Sequence, residues 1–279
     1  MKKEAYLLKQ ILMSKGKEED EMKTITTMYF SPTGTSRKIS EAIADGIAGA
    51  GTFERKRIDL TKPPAREKQY EFGTEDILVL GYPVYGGRVP AVLQNVLCGL
   101  KGTATPAVLA AVYGNRDYED ALLEGQDLLA EGGFTVLAAG AFIGEHSYSA
   151  KVGAGRPDAE DLQAAESLGI KAAEKISAGD YLEVAVKGNR PYKDPMPDMP
   201  FTPKITEACT GCGLCAENCP MQVISRENPA QINTGCILCS ACVKLCPQQA
   251  KYWDAEPILK IKQMLETKFV ERREPEIFI

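Results

Sequence analysis

Eight cysteines fall in two runs of identical spacing, Cys209-x-x-Cys212-x-x-Cys215-x-x-x-Cys219-Pro220 and Cys236-x-x-Cys239-x-x-Cys242-x-x-x-Cys246-Pro247. The second run repeats the first 27 residues on. No other feature constrains the chain as strongly, because thiols clustered this tightly favour a metal centre over a disulfide framework. Gly211, Gly213 and Gly235 suit loops whose backbone must approach the sulfurs closely. The ninth cysteine, Cys98, lies outside both runs near the end of a predicted helix and is expected to be a buried small hydrophobe.

The spacing resembles that of bacterial two-cluster ferredoxins, in which three thiolates of each run hold one [4Fe-4S] cube and the fourth ligates the other cube. The resemblance covers roughly 204–254. It implies one cluster on Cys209, Cys212, Cys215 and Cys246, and a second on Cys236, Cys239, Cys242 and Cys219. A tight loop reaches three irons of a cube, and the fourth must be reached from elsewhere in the fold. A pair of zinc sites is the alternative, since four thiolates also suit zinc.

Upstream, the pattern alternates. Strands are predicted over 24–30, 53–60, 76–81, 107–113 and 134–143, with helices over 36–48, 90–97, 118–131 and 157–176. The run Ile77-Leu78-Val79-Leu80 is that of a strand buried on both faces. Five strands separated mostly by helices predict an α/β fold with a doubly wound parallel sheet covered on both sides. The glycine-rich stretch 46–51 falls at the end of a helix and reads as its C-terminal stop.

Directly after the first strand, Ser31-Pro32-Thr33-Gly34-Thr35-Ser36-Arg37 opens a helix. Hydroxyls and backbone N–H groups at such a turn form an anion site, reinforced by the helix N-terminus. The stretch has neither the Gly-Lys-Ser/Thr ending of a nucleotide phosphate loop nor a G-x-G-x-x-G fingerprint. It resembles the hydroxyl-rich loop that wraps the FMN phosphate in flavodoxins. Two further loops match that family in order. Gly81-Tyr82-Pro83-Val84-Tyr85-Gly86-Gly87-Arg88-Val89-Pro90 resembles the loop along the isoalloxazine, and Tyr113-Gly114-Asn115-Arg116-Asp117-Tyr118 the second ring-contacting loop. All three fall at carboxyl ends of strands, where open α/β sheets bind ligands.

The flavodoxin resemblance covers roughly 24–179. It implies FMN held by Ser31, Thr33, Gly34, Thr35, Ser36, Pro83, Val84, Tyr85, Gly86, Gly87, Gly114, Asn115, Arg116 and Tyr118. Tyr85 is expected on the ring, while Tyr82 fits ring contact and packing equally. Asn115 and Arg116 are expected at its polar edge, where Arg116 would offset negative charge. His146, the only histidine, follows the fifth strand on the same edge. It is a candidate hydrogen-bond or proton donor near the flavin, or a seat for the ferredoxin segment, with plain loop packing as the alternative.

The remaining segments complete the plan. Residues 1–22 are a charge-rich extension, in which Leu8, Ile11 and Leu12 fit the stripe of a short helix unless Met22 is the natural start. The flavodoxin-like domain is assigned to 23–180, a Pro-rich linker to 181–203, the ferredoxin domain to 204–254, and a C-terminal helix and tail to 255–279. Pro191, Pro195, Pro197, Pro200 and Pro203 make the linker extended and semi-rigid. At roughly 3.3 Å per residue it can cross one face of the first domain. Ile258, Leu259, Ile261 and Leu265 give the tail helix an apolar face that packs back on one domain, and Glu271 to Glu274 are expected to be solvated.

Lys plus Arg number 33 and Asp plus Glu 38, a balance that gives no reason to expect nucleic-acid binding. Apolar runs such as 135–143 fall short of the roughly 18 residues that span a bilayer, and no leader pattern opens the chain, so a cytoplasmic protein is expected. Together the resemblances are those of flavodoxin-ferredoxin fusions of anaerobic bacteria. They imply electron transfer between FMN, two [4Fe-4S] clusters and external protein redox partners. The alternatives are a flavin-dependent reductase of a small molecule fed through the clusters, and a colourless zinc-stabilised binding module. A ring covered by the ferredoxin segment favours the relay, and an open pocket favours a substrate.

Overall fold

The computed structural model describes residues 23–197 and 199–279. The expectations for 1–22, a short helix or a start at Met22, lie outside the described residues. Five strands run parallel: β1 (Thr24–Tyr29), β2 (Glu54–Asp59), β3 (Asp76–Pro83), β4 (Thr105–Tyr113) and β5 (Phe134–Ile143). Their order, β2-β1-β3-β4-β5, is the flavodoxin-like doubly wound arrangement. The helices are α1 (Thr35–Ala48), α2 (Pro63–Arg66), α3 (Gln94–Cys98), α4 (Ala121–Glu131) and α5 (Ala159–Ser177).

The apolar run in β3 divides between the two faces, as the two-residue period of a strand requires. Ile77 and Val79 join Ile39, Ile43, Ile47 and Leu168 under α1 and α5. Leu78 and Leu80 join Leu93, Val96, Leu122 and Leu129 under α3 and α4. The α1–α5 crossing depends on glycine, since a Cβ on Gly46 would lie 2.0 Å from Glu166 O and one on Gly169 2.0 Å from Ile43 O. Gly46 is therefore a packing position inside α1, and Gly49 caps its end. That corrects the reading of 46–51 as a stop alone.

One sheet edge, β2, exposes Glu54, Arg55, Lys56 and Arg57, charges that discourage pairing with another chain. The other edge corrects the five-strand expectation. A short C-terminal strand pairs antiparallel with β5 there.

In the C-terminal part, β6 (Lys204–Ile205) pairs antiparallel with β7 (Lys251–Tyr252). Between them lie the single turns α6 (Leu214–Glu217) and α7 (Ala241–Lys244). The backbone repeats with the cysteines: left-handed φ values occur at Gly211 and Leu238, Gly213 and Ser240, and Gln222 and Gln249. Each pair is separated by the cysteine period, so the second loop copies the first even where it lacks the glycine that makes this conformation inexpensive.

The chain then forms α8 (Glu256–Lys268) and ends in β8 (Glu276–Phe278), which pairs antiparallel with β5 and makes the sheet six-stranded. The side chains of Glu271 to Glu274 are exposed as expected, but this stretch is tethered. Arg272 pairs with Asp158 and Glu160, and Arg156 donates to Arg273 O. Cys98, expected to be buried, is exposed at the end of α3, with Val96 and Leu97 taking the inward positions.

The Pro-rich segment crosses the α4 face as a strap. Val184 N–H donates to Val136 O near the start of β5, and Lys193 N–H donates to Asp120 Oδ2 at the start of α4. Between these anchors, Asn189 donates to Asp120, and Arg190 and Tyr192 donate to Asp127.

Candidate cofactor sites

The carboxyl ends of β1, β3, β4 and β5 open on a cavity of about 400 Å³, a volume ordinary for a small-molecule site. Thr33, Thr35, Pro83, Val84, Tyr85, Gly86, Gly87, Gly114, Arg116 and His146 line it. Glycine is required where neighbours press in: a Cβ on Gly114 would lie 2.4 Å from His146 Cδ2, and one on Gly86 2.8 Å from Met196 Cγ.

The 31–36 loop is tightly built. Ser31 N–H donates to Thr61 Oγ1 and Ser31 Oγ accepts from Arg37 N–H, both at 3.0 Å. Gly34 takes φ +87°, with nothing within 4 Å of the position a Cβ would occupy. The N–H groups of Thr35 and Ser36 open α1, where a helix leaves its donors without internal partners. Among the described residues, Ser36 Oγ has no hydrogen-bond partner, although it is buried.

The next loop is held by Glu124, which accepts from Arg88 Nε and Nη2 and from Val89 N–H at 2.7–2.8 Å. Arg88 lies over the Tyr192 ring and donates to Lys193 O, joining the loop to the strap. Arg116 pairs with Glu119 at 2.9 Å, and Glu119 also accepts from Lys193 at 2.7 Å. Burial opposes ionisation of Glu119, but the donors Arg116 and Lys193 outweigh it and hold the carboxyl below its ordinary range.

Asn115, Tyr118 and Tyr82 turn elsewhere. Asn115 Nδ2 donates to Phe269 O and Glu271 O, both at 2.7 Å, and Tyr118 Oη donates to Glu276 Oε2 at 2.9 Å. Both residues are buried and pin the C-terminal segment, where the resemblance had implied ring contact. Tyr82 is core, its hydroxyl donating to Ala121 O.

His146 accepts from Tyr148 N–H at Nδ1, 3.0 Å away, which leaves Nε2 to carry the proton of the neutral ring. Burial, then the charges of Lys244 and Arg116, lower its pKa to about 4. Lys244, from the cysteine-rich part, pairs with Glu145 beside it.

Sequence reasoning missed the residues that close this cavity. Met196 and Met199 come from the strap, Ile237 and Leu238 from the second cysteine run, and Ile261, Met264 and Leu265 from α8. The linker's length and the helix's apolar face were visible, but not the face each would cover. Tyr148 was also missed.

The eight clustered cysteines are free of disulfides and sort into two separate cavities. One is lined by Cys219, Cys236, Cys239 and Cys242, the other by Cys209, Cys212, Cys215 and Cys246. The last thiol of each run thus lies with the first three of the other. Burial pushes the Cys239 and Cys242 thiols up to about 12, so a thiolate there needs a cation beside it. Ile237 lines both the loop cavity and the Cys219 cavity.

Residues 208–251 match the family described as 4Fe-4S dicluster domain. The cysteine-rich part thus matches a 4Fe-4S family and follows a flavodoxin-like sheet. Among curated relatives, "Putative diflavin flavoprotein A 2" of Thermosynechococcus vestitus (strain NIES-2133 / IAM M-273 / BP-1) is 27% identical over 113 residues. That match covers 40% of this chain and only 19% of the relative's length. Similar solved structures include a flavodoxin from the domain Archaea, 20% identical, covering 56% of this chain and 99% of that one at a TM-score of 0.38. The two-electron reduced flavodoxin of Megasphaera elsdenii is 18% identical, covering 54% and 99% at 0.38. A doubly wound parallel sheet and a segment matching a 4Fe-4S family therefore lie in one chain. Among the described residues no helix is long and apolar enough to cross a membrane.

Proposed function

We propose that this fusion is an electron relay, with FMN in the loop cavity, a [4Fe-4S] cluster in each cysteine cavity, and external protein redox partners exchanging through the outer cluster. The observation that carries it is Ile237, whose side chain is wall to both the loop cavity and the Cys219 cavity. One residue thus separates the flavin site from the inner cluster. The other cavity, with Cys212 exposed at its rim, faces outward.

The residues fit these groups. Thr33, Gly34, Thr35 and the first-turn N–H groups of α1 would receive the phosphate, and the partnerless Ser36 Oγ lies in the same turn. Pro83 to Gly87, Gly114, Arg116 and His146 would take the ring, in space kept open by Gly86 and Gly114. Asn115 and Tyr118 act indirectly by holding the tail. The flavoprotein name of the curated relative agrees with a flavin. The swapped cysteine sets agree with two cubes sharing ligands across the repeat.

FMN accepts two electrons together or one at a time, whereas each cluster passes one. The chain's part is to hold the sites at fixed separation and to exclude water. Met196, Leu238, Ile261, Met264 and Leu265 form an apolar cover over the loop cavity. His146, neutral at physiological pH, presents an Nε2–H donor. The cover favours relay over reduction of a small molecule at an open ring face. We assign the flavin domain to 23–180, the strap to 181–203 and the cluster domain to 204–254.

Anaerobic purification with iron, sulfide, zinc and FMN analysis tests the reading. About eight irons, the content of two four-iron clusters, and one FMN per chain are expected. Zinc in place of iron, or absence of flavin, would overturn it.

A further inference from the structure

Three backbone carbonyls around Cys219 are held by two cations of the flavodoxin-like domain. Lys62 Nζ donates to Glu217 O and, at 3.4 Å, to Cys219 O, while Arg66 Nη2 donates to Pro220 O at 2.9 Å. Arg66 is itself fixed, donating to Leu60 O and Thr61 O at 2.9 and 2.8 Å and lying over the Phe30 ring. Both side chains are half-buried. Carbonyls offer only partial negative charge, so these contacts leave both cations with their full charge. The acidic side chains near Lys62, those of Asp59 and Glu217, are exposed and screened by solvent.

We propose that Lys62 and Arg66 are positioning residues that raise the reduction potential of the cluster held by Cys219, Cys236, Cys239 and Cys242 relative to the other cluster. The inference rests on the two-cluster reading above. Adding an electron to a cluster adds one negative charge, and fixed cations within one residue of a ligating cysteine favour that more negative form.

The two cavities differ in the respect that makes such tuning necessary. Cys219, Cys239 and Cys242 are 7–8% exposed, whereas Cys212 is exposed. Burial penalises extra negative charge, so without nearby cations the inner cluster is the harder of the two to reduce. Lys251, a buried cation whose Nζ donates to Pro229 O at 2.7 Å, does not redress the balance. It lines the cavity of the other cysteine set. Lys62 and Arg66 reach one set only.

The test is an EPR-monitored redox titration of the full, cluster-loaded chain for wild type, Lys62→Met, Lys62→Arg and Arg66→Gln. The FMN couple is followed by absorbance in the same samples. Lys62→Met and Arg66→Gln are expected to move one cluster midpoint to more negative potential, leaving the other midpoint and the flavin couple unchanged. Lys62→Arg is expected to restore most of the shift, which a merely structural role would not require. Repeating Lys62→Met in a Cys246→Ala background, which retains the Cys219 set, assigns the moving midpoint to the inner cluster. Arg66→Gln provides an independent result if Lys62→Met assembles poorly. With about eight irons present, unmoved midpoints, or midpoints that move together, overturn this inference alone. Zinc in place of iron overturns the two-cluster reading with it.

Discussion

The rings of Tyr148 and Trp253 meet edge to face, with centroids 5.9 Å apart and planes at 82°. Tyr148 lines the flavin cavity and Trp253 the Cys219 cavity, so the pair forms a second contact between the two sites beside Ile237. Trp253 is oriented by its Nε1–H, which donates to Ser240 Oγ at 2.9 Å. Trp253→Phe removes that bond and is expected to cost about 1 kcal/mol of stability. Denaturant melts of the loaded protein measure the loss, and an unchanged midpoint would mean that the bond contributes nothing.

The swapped cysteine sets make an unequal forecast for two residues in like positions of their runs. Cys219→Ala should abolish the inner cluster, whose other ligands lie in the second run, while Cys246→Ala should abolish the outer one. Each variant should retain about four irons, with the flavin's contact to a cluster kept only in Cys246→Ala. Equal loss of flavin-cluster exchange in both variants would argue that the sets are not crossed.

Because burial and the charges of Lys244 and Arg116 lower the His146 pKa from 6.5 to about 4, its imidazole stays neutral through mildly acid pH. The unfolded chain takes up this proton first. His146 therefore contributes no pH dependence above about 6.5, and stability falls as pH falls from there toward about 4. As the chain's only histidine, it gives one imidazole signal to follow by NMR. Titration near 4 is expected, whereas a midpoint near 6.5 would show that the ring is solvated. His146→Gln should flatten the acid slope.

Asn115 and Tyr118 hold the tail that brings Ile261, Met264 and Leu265 over the flavin cavity. Tyr118→Phe deletes one hydrogen bond, at about 1 kcal/mol. Asn115→Ala leaves the carbonyls of Phe269 and Glu271 without their donor and keeps a left-handed φ of 61°, at a cost of about 2–3 kcal/mol. Hydrogen exchange should speed up across α8 and β8 in both variants, and FMN should bind more weakly. Unchanged exchange in the tail would remove these residues from the account.

Which parts were legible from sequence follows from the range of the interactions involved. The parallel strands and α1 declared themselves through local periodicity, and the cysteine sets through a repeat whose symmetry survives in the backbone. The helix predicted from residue 118 starts at Ala121, because Tyr118 and Asp120 are committed to partners in the tail and the strap. The prolines announced an extended strap but not its path, which Asp120 and Asp127 set by accepting hydrogen bonds from residues more than sixty positions away. Strand β8 is three residues long, too short to give a pattern. The Lys62 and Arg66 contacts cross domains to carbonyls and leave no mark on either motif.

The central claim is that flavin and inner cluster exchange electrons within one chain. Photoreducing the flavin and following cluster absorbance across a series of protein concentrations tests it directly. A single first-order rate independent of concentration is the predicted result, because tethered sites need no encounter. A rate that rises in proportion to concentration, or no cluster reduction at all, would contradict it.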